Sequence, residues 1–64
     1  MEKKPIKKLK KGDYFRLADS DTAPVWVRYI YIREAKKYST HKFDDVNHEC
    51  LRSGTKEVYV GFTF

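Results

Sequence analysis

The chain has 64 residues, a net charge of +5 and one cysteine. A domain of about 60 residues buries only roughly 60% of the surface its unfolded chain exposes, so this length supports a single small core. Lone Cys50 excludes an internal disulfide, and no apolar run approaches the roughly 20 residues that span a bilayer. With no secretory signal in view, the expectation is a soluble protein of a reducing cytoplasm.

The charge is unevenly placed. Residues 1–11 hold six lysines against Glu2, a net +5, whereas residues 12–64 balance eight basic against eight acidic side chains. The expected organisation is therefore a basic N-terminal arm, residues 1–11, on one small neutral domain, residues 12–64. Such an arm attracts phosphate backbones or anionic surfaces. Its plainer role is to keep the chain soluble and to blunt a sheet edge, because lysines without arginines lack the fork geometry of specific phosphate readers.

Within the arm, Ile6 and Leu9 stand three apart, which suits one helical turn opened by Pro5 and ended by Gly12. Too short to be stable alone, it is expected to plug one end of the core. Gly12-Asp13 is turn chemistry. Residues 14–18 follow as a first strand with Phe15 and Leu17 in the core. Residues 19–24 read as a loop. Asp19 and Asp21 there are better explained as turn residues bonding their own backbone than as a cation site.

Residues 25–34 form the longest apolar stretch, rich in β-branched and aromatic side chains, and predict a long central strand. Strict alternation leaves neither face cleanly apolar. A bend or bulge near Arg28-Tyr29 resolves this by turning Val25 and Val27 inward before it and Ile30 and Ile32 inward after it. Trp26, Tyr29 and Tyr31 then lie outside. The alternative is a straight strand with Trp26, Ile30 and Ile32 inside.

Residues 34–37 predict a four-residue hairpin loop, and residues 38–43 the returning strand. Residues 44–49 are strong turn formers, able to hold one helical turn capped by Asp44 or Asp45. Residues 50–52 read as a short strand, 53–56 as a turn and 57–64 as a last strand. In that strand Val58, Val60, Phe62 and Phe64 alternate with smaller or polar residues, the cleanest period-2 signal in the chain. The fold class expected is all-β: a small, partly open barrel of about five antiparallel strands with one short helical turn.

Catalysis finds little support. His41, His48, Cys50, Asp44, Asp45 and Glu49 are the only candidates. His48-x-Cys50 is not a zinc spacing, and Asp44-Asp45-x-Asn47 lacks the glycine and glutamate of a calcium loop. A thiolate pair of Cys50 with His41 or His48 needs a water-excluding pocket for which a barrel this small has little volume. The expectation is a non-enzymatic protein with no metal and no cofactor.

Binding fits better. Single-stranded nucleic acid is held by aromatic faces that stack bases and by cations that follow the backbone. The candidate residues are Trp26, Arg28, Tyr29, Tyr31, Arg33, Lys36, Lys37, Tyr38 and Lys42. The competing explanation is structural, since tyrosines on sheet surfaces commonly make cross-strand pairs. The alternative function is a protein-interaction module or small homo-oligomer, using the Trp/Tyr/Arg patch or an exposed strand edge. The neutral body favours it, because a nucleic-acid face usually shifts the charge of a whole domain.

The succession Leu9-x-x-Gly12-Asp13-x-Phe15, Val25-Trp26-Val27-Arg28, Lys37-Tyr38-Ser39, residues 42–49 and Val58-x-Val60-x-Phe62 resembles a group of small uncharacterised bacterial proteins of about this length. The resemblance spans nearly the whole chain and implies no activity, cofactor or site residue. More loosely, the strand succession is similar to SH3-like barrels, a fold that hosts nucleic-acid and peptide binders alike.

Overall fold

A computed structural model describes residues 2–62. The protein is all-β. Six strands, β1 (Glu2–Pro5), β2 (Tyr14–Arg16), β3 (Val25–Ile32), β4 (Lys37–Lys42), β5 (Asp45–Arg52) and β6 (Glu57–Val60), are joined by one 3-10 turn at Ile6–Lys8. They form one antiparallel sheet in the order β1-β6-β2-β3-β4-β5. The ladder is open, with β1 and β5 as its edges.

The sheet is nonetheless strongly curled. Strands lie about 4.8 Å apart, so in a flat sheet β5 and β6 would be separated by roughly 19 Å. Residues 53–56 join them through a tight turn, closed by Lys56 N–H donating to the Ser53 carbonyl at 3.1 Å. The ends of a β-turn are less than about 7 Å apart. Only a curled sheet brings both strands to that turn. The N-terminal segment occupies the gap, where Ile6 N–H and Lys7 N–H donate to the carbonyls of Lys56 and Gly54, both at 3.0 Å.

The core lies inside the curl. Ile6, Leu9, Phe15, Trp26, Val58 and Val60 are buried together, with Tyr38 and Cys50 packed against them. Ile6 and Leu9 thus fill one end of the core as their spacing predicts, although the first eleven residues also supply β1 and are woven into the sheet. All six lysines of that segment stay exposed.

β3 carries the predicted irregularity. Its register with β4 shifts between Arg28 and Tyr31, so that Tyr29 and Ile30 together stand opposite Ser39. Gly12 N–H donates to the Arg28 carbonyl at 2.7 Å and Arg28 N–H to the Asp13 carbonyl at 2.9 Å, which holds the strand to the 12–13 turn just before the bulge. Gly12 itself has φ +95°, which favours glycine there.

The polarity around this bulge is the reverse of that expected. Trp26 faces the core, 7% exposed, opposite Phe15 across the β2–β3 ladder, while Val25 and Val27 are half-buried on the outer face. The reason is area: a tryptophan buries some 150–250 Å², which two small valines do not match in a core built from so few residues. Past the bulge, Tyr31 rather than Ile30 turns to the inner face, and Ile30 stays 43% exposed.

Three further expectations are corrected. Leu17 is 36% exposed because β2 ends at Arg16, and Val58 and Val60 fill the space instead. The β3–β4 loop is residues 33–36, one residue earlier than predicted, because Lys36 adopts φ 55° and lets Lys37 pair with Ile32. Residues 44–49 form no helical turn. A two-residue turn at Phe43-Asp44 leads directly into the eight-residue strand β5, which slips by three residues against β4 between His41 and Lys42. Asp45 keeps its turn chemistry, its carboxylate accepting from Asn47 N–H at 3.1 Å inside the slipped stretch 46–48, and the ladder to β4 resumes at Glu49. The predicted extension of the last strand to Thr63 and Phe64 lies outside the described residues.

Candidate nucleic-acid interface

Cross-strand partners point to the same face, so the ladders sort the candidate residues into two groups. On the inner face lie Trp26, Arg28, Tyr31, Tyr38 and Lys42, joined by Thr40, Cys50 and Arg52 from the pairings Arg28–Thr40–Cys50 and Tyr31–Tyr38–Arg52. On the outer face lies Tyr29, with Tyr14, Val27, His41 and Glu49. Arg33 and Lys36 occupy the exposed β3–β4 loop, and Lys37 begins β4 beside it.

The inner-face group is built on two arginine–aromatic stacks. The Arg28 guanidinium sits 4.3 Å from the Tyr38 ring centroid, and that of Arg52 sits 4.4 Å from Trp26. Tyr38 in turn packs on Tyr31 with centroids 4.8 Å apart at 57°. Thr40, fully buried, lies between the arginines. Its hydroxyl donates to the Cys50 carbonyl at 2.7 Å and accepts from Arg52 Nε–H at 3.2 Å. Arg28 Nη1–H donates to the Tyr29 carbonyl at 2.8 Å, while its Nε is buried without a partner. Among the described residues the ion pairs are Lys4–Glu2 and Arg16–Asp21, so neither Arg28 nor Arg52 is matched by a carboxylate. A planar cation fixed on an aromatic face, with no internal counter-charge, is suited to an external anion.

Not every candidate belongs here. Trp26 is closed off by Phe15 opposite it in the ladder, by Arg52 over its ring and by His48 edge-on at 5.7 Å, so it offers no free stacking face. Tyr29 is exposed but on the opposite face, where Lys11 lies 5.0 Å from its ring. Lys42 is half-buried beside Trp26. The coherent surface is therefore Arg28, Tyr31 and Tyr38, continued by Arg33 and Lys36 in the loop, while Lys37, paired with Ile32, points to the outer face at the hairpin end. Arg52 and Thr40 support it and were not foreseen. The signal for Arg52 was masked because its strand opens with turn-forming residues, which hid the alternation that ends at Arg52.

Two shallow clefts lie elsewhere. One of about 300 Å³ is lined by Glu2, Lys4, Leu9, Asp13, Tyr14 and residues 60–62, and one of about 330 Å³ by Pro24, Val25, Lys42, Phe43 and Asp44. Neither touches the arginine stacks. Among the described residues no three His, Cys, Asp or Glu side chains gather as a metal site, and no helix is long and apolar enough to cross a membrane. Comparison with protein-family models, curated proteins and solved structures found no match to this chain.

Proposed function

We propose that the protein is a non-enzymatic, cytoplasmic binding module for single-stranded nucleic acid, with little base specificity. The observation that carries the proposal is the stack of Arg28 on Tyr38 beside Tyr31, continued by Arg33 and Lys36 at one end of the β3–β4 hairpin. The exposed Tyr31 ring offers a base a flat apolar partner, worth about 1–3 kcal/mol per stacked base. The arginine and the loop cations follow the phosphates. The curled meander β2-β3-β4-β5, with β6 returning to β2, supports placing this surface on a partly open, SH3-like barrel. The lysine-rich segment adds long-range attraction without specificity.

Fluorescence anisotropy with labelled oligo-dT and oligo-rU of about 15 nucleotides tests the proposal. Binding by three or four cations predicts a slope of log affinity against log salt of about −2 to −3. Tyr31→Ala is expected to weaken binding roughly tenfold, and Lys36→Glu with Lys37→Glu to flatten the salt slope. Tyr29→Ala, on the other face, leaves it unchanged. No binding at low salt, or equal loss from Tyr29→Ala and Tyr31→Ala, would remove the basis of the proposal.

A further inference from the structure

Arg28 on β3 and Arg52 on β5 stand on either side of β4, so with strands about 4.8 Å apart their backbones are roughly 10 Å from one another. Both side chains lean back over β4. Arg28 stands opposite Thr40 and reaches toward Tyr38, while Arg52 stands opposite Tyr38 and reaches past Thr40 to Trp26. The two guanidiniums are therefore drawn together over Thr40. The acids of β5 are committed elsewhere. Glu49 faces outward and accepts from the Ser39 hydroxyl, and Asp45, opposite Lys42, accepts from Asn47 N–H. Like charges gathered on one face of a sheet are destabilising. An anion bridging the two arginines would relieve that repulsion.

Each guanidinium is also held in a way that leaves donors over. Arg52 is braced by its Nε–H on Thr40 and stacked on Trp26, and among the described residues neither of its Nη groups has a partner. Arg28 is stacked on Tyr38 and uses Nη1 on the Tyr29 carbonyl, which leaves its Nη2. Both residues are half-buried rather than sealed. Stacking fixes the plane of each fork, so the unused N–H edges are oriented before any ligand arrives. An internal phosphodiester matches this pair poorly, with one charge and two unesterified oxygens. A terminal phosphomonoester brings a charge of about −1.5 to −2 and three acceptor oxygens, enough for both forks.

We infer that Arg28 and Arg52 together recognise the phosphorylated end of a strand, a terminal phosphomonoester, with the adjoining base on Tyr31. Tyr31 packs on Tyr38, the same ring that carries Arg28, which sets a stacking surface beside the phosphate position. Arg33 and Lys36 in the loop are left for the internal phosphates. The inference rests on the nucleic-acid reading of this face and narrows it from strands in general to strand ends.

Competition against labelled oligo-dT, read by fluorescence anisotropy, tests it on the unaltered chain. The competitors are oligo-dT of about six nucleotides with a 5′-phosphate, with a 3′-phosphate or with hydroxyls at both ends. A hydroxyl-ended strand longer by about two nucleotides controls for the added charge. One of the phosphorylated strands is expected to compete roughly tenfold better than either hydroxyl-ended strand. Arg28→Lys and Arg52→Lys keep the charge but lose the fork, and each is expected to abolish that difference. Equal competition by phosphorylated and hydroxyl-ended strands overturns the inference and leaves the broader reading standing. No competition by any strand at low salt removes both. A preference that survives in both lysine variants overturns the assignment to this pair. A phosphotyrosine peptide that competes as well as the phosphorylated strand overturns the commitment to nucleic acid.

Discussion

Thr40→Val gives the most direct access to how the arginine stacks are held. Valine has nearly the shape of threonine, so the substitution leaves no cavity and removes only the hydroxyl. That hydroxyl is fully buried and serves two partners, the Cys50 carbonyl at 2.7 Å and the Arg52 Nε–H at 3.2 Å. A neutral hydrogen bond contributes about 1 kcal/mol and one to a charged group about 1.5–3 kcal/mol. Arg52 is half-buried and recovers part of its loss from water, so the expected destabilisation is about 2–3 kcal/mol. A chain of this length has a total stability of roughly 3–10 kcal/mol, which makes that a large share. Tm should fall by about 10–20 °C. Urea unfolding followed by Trp26 fluorescence measures the change, with an unaltered m-value showing that the native state has not loosened. The Thr40→Val, Arg52→Met double-mutant cycle should give a coupling of about 1 kcal/mol or more. A loss below about 0.5 kcal/mol, or no coupling, would refute the claim that Thr40 positions Arg52.

Phe15→Ala, at a fully buried residue facing Trp26, should cost about 3–5 kcal/mol and leave the chain largely unfolded by circular dichroism. Trp26 should emit at short wavelength and resist acrylamide, and only unfolding should restore normal quenching; an exposed emission would contradict its place in the core. Gly54→Ala puts a Cβ 2.8 Å from Tyr38 Cε2 and 3.2 Å from Lys7 Cβ. It should destabilise by about 1–3 kcal/mol in urea unfolding and shift the Tyr38 ring resonances. Lys36→Gly relieves a left-handed backbone at φ 55° and should raise stability by about 0.5–1 kcal/mol.

Several features of this fold are legible in the residues, and for stated reasons. Ile6 and Leu9 declare themselves by spacing, Phe15, Val58 and Val60 by alternation, and the β3 bulge by the failure of either face to be apolar. The direction of the bulge was not legible. Two valines and one tryptophan compete for the same side, and the outcome depends on Phe15 and Arg52, which reach Trp26 from strands distant in sequence. β5 was hidden for a related reason: Asp45 and Asn47 have the composition of a turn and form one, Asp45 accepting from Asn47 N–H, while the pairings of Asp45 and of residues 49–52 with β4 carry the strand. The candidate site suffered most from this. Without β5 there is no Arg52 over Trp26 and no Thr40 bridge, so Trp26 looked free for stacking when it is closed off. Arg28, Tyr31 and Tyr38, all on one hairpin, needed only local pairing to be found.

A two-dimensional NMR titration of the 15N-labelled protein with oligo-dT at low salt tests the binding face most directly. The amides of Arg28, Tyr31, Arg33, Lys36, Lys37, Tyr38 and Arg52 are expected to shift together and to return as salt is raised. Tyr14, Val27 and Tyr59, on the outer face, are expected to stay in place. Shifts confined to the outer face, or none at any salt concentration, would contradict the assignment of the inner β3–β4 surface as the nucleic-acid interface.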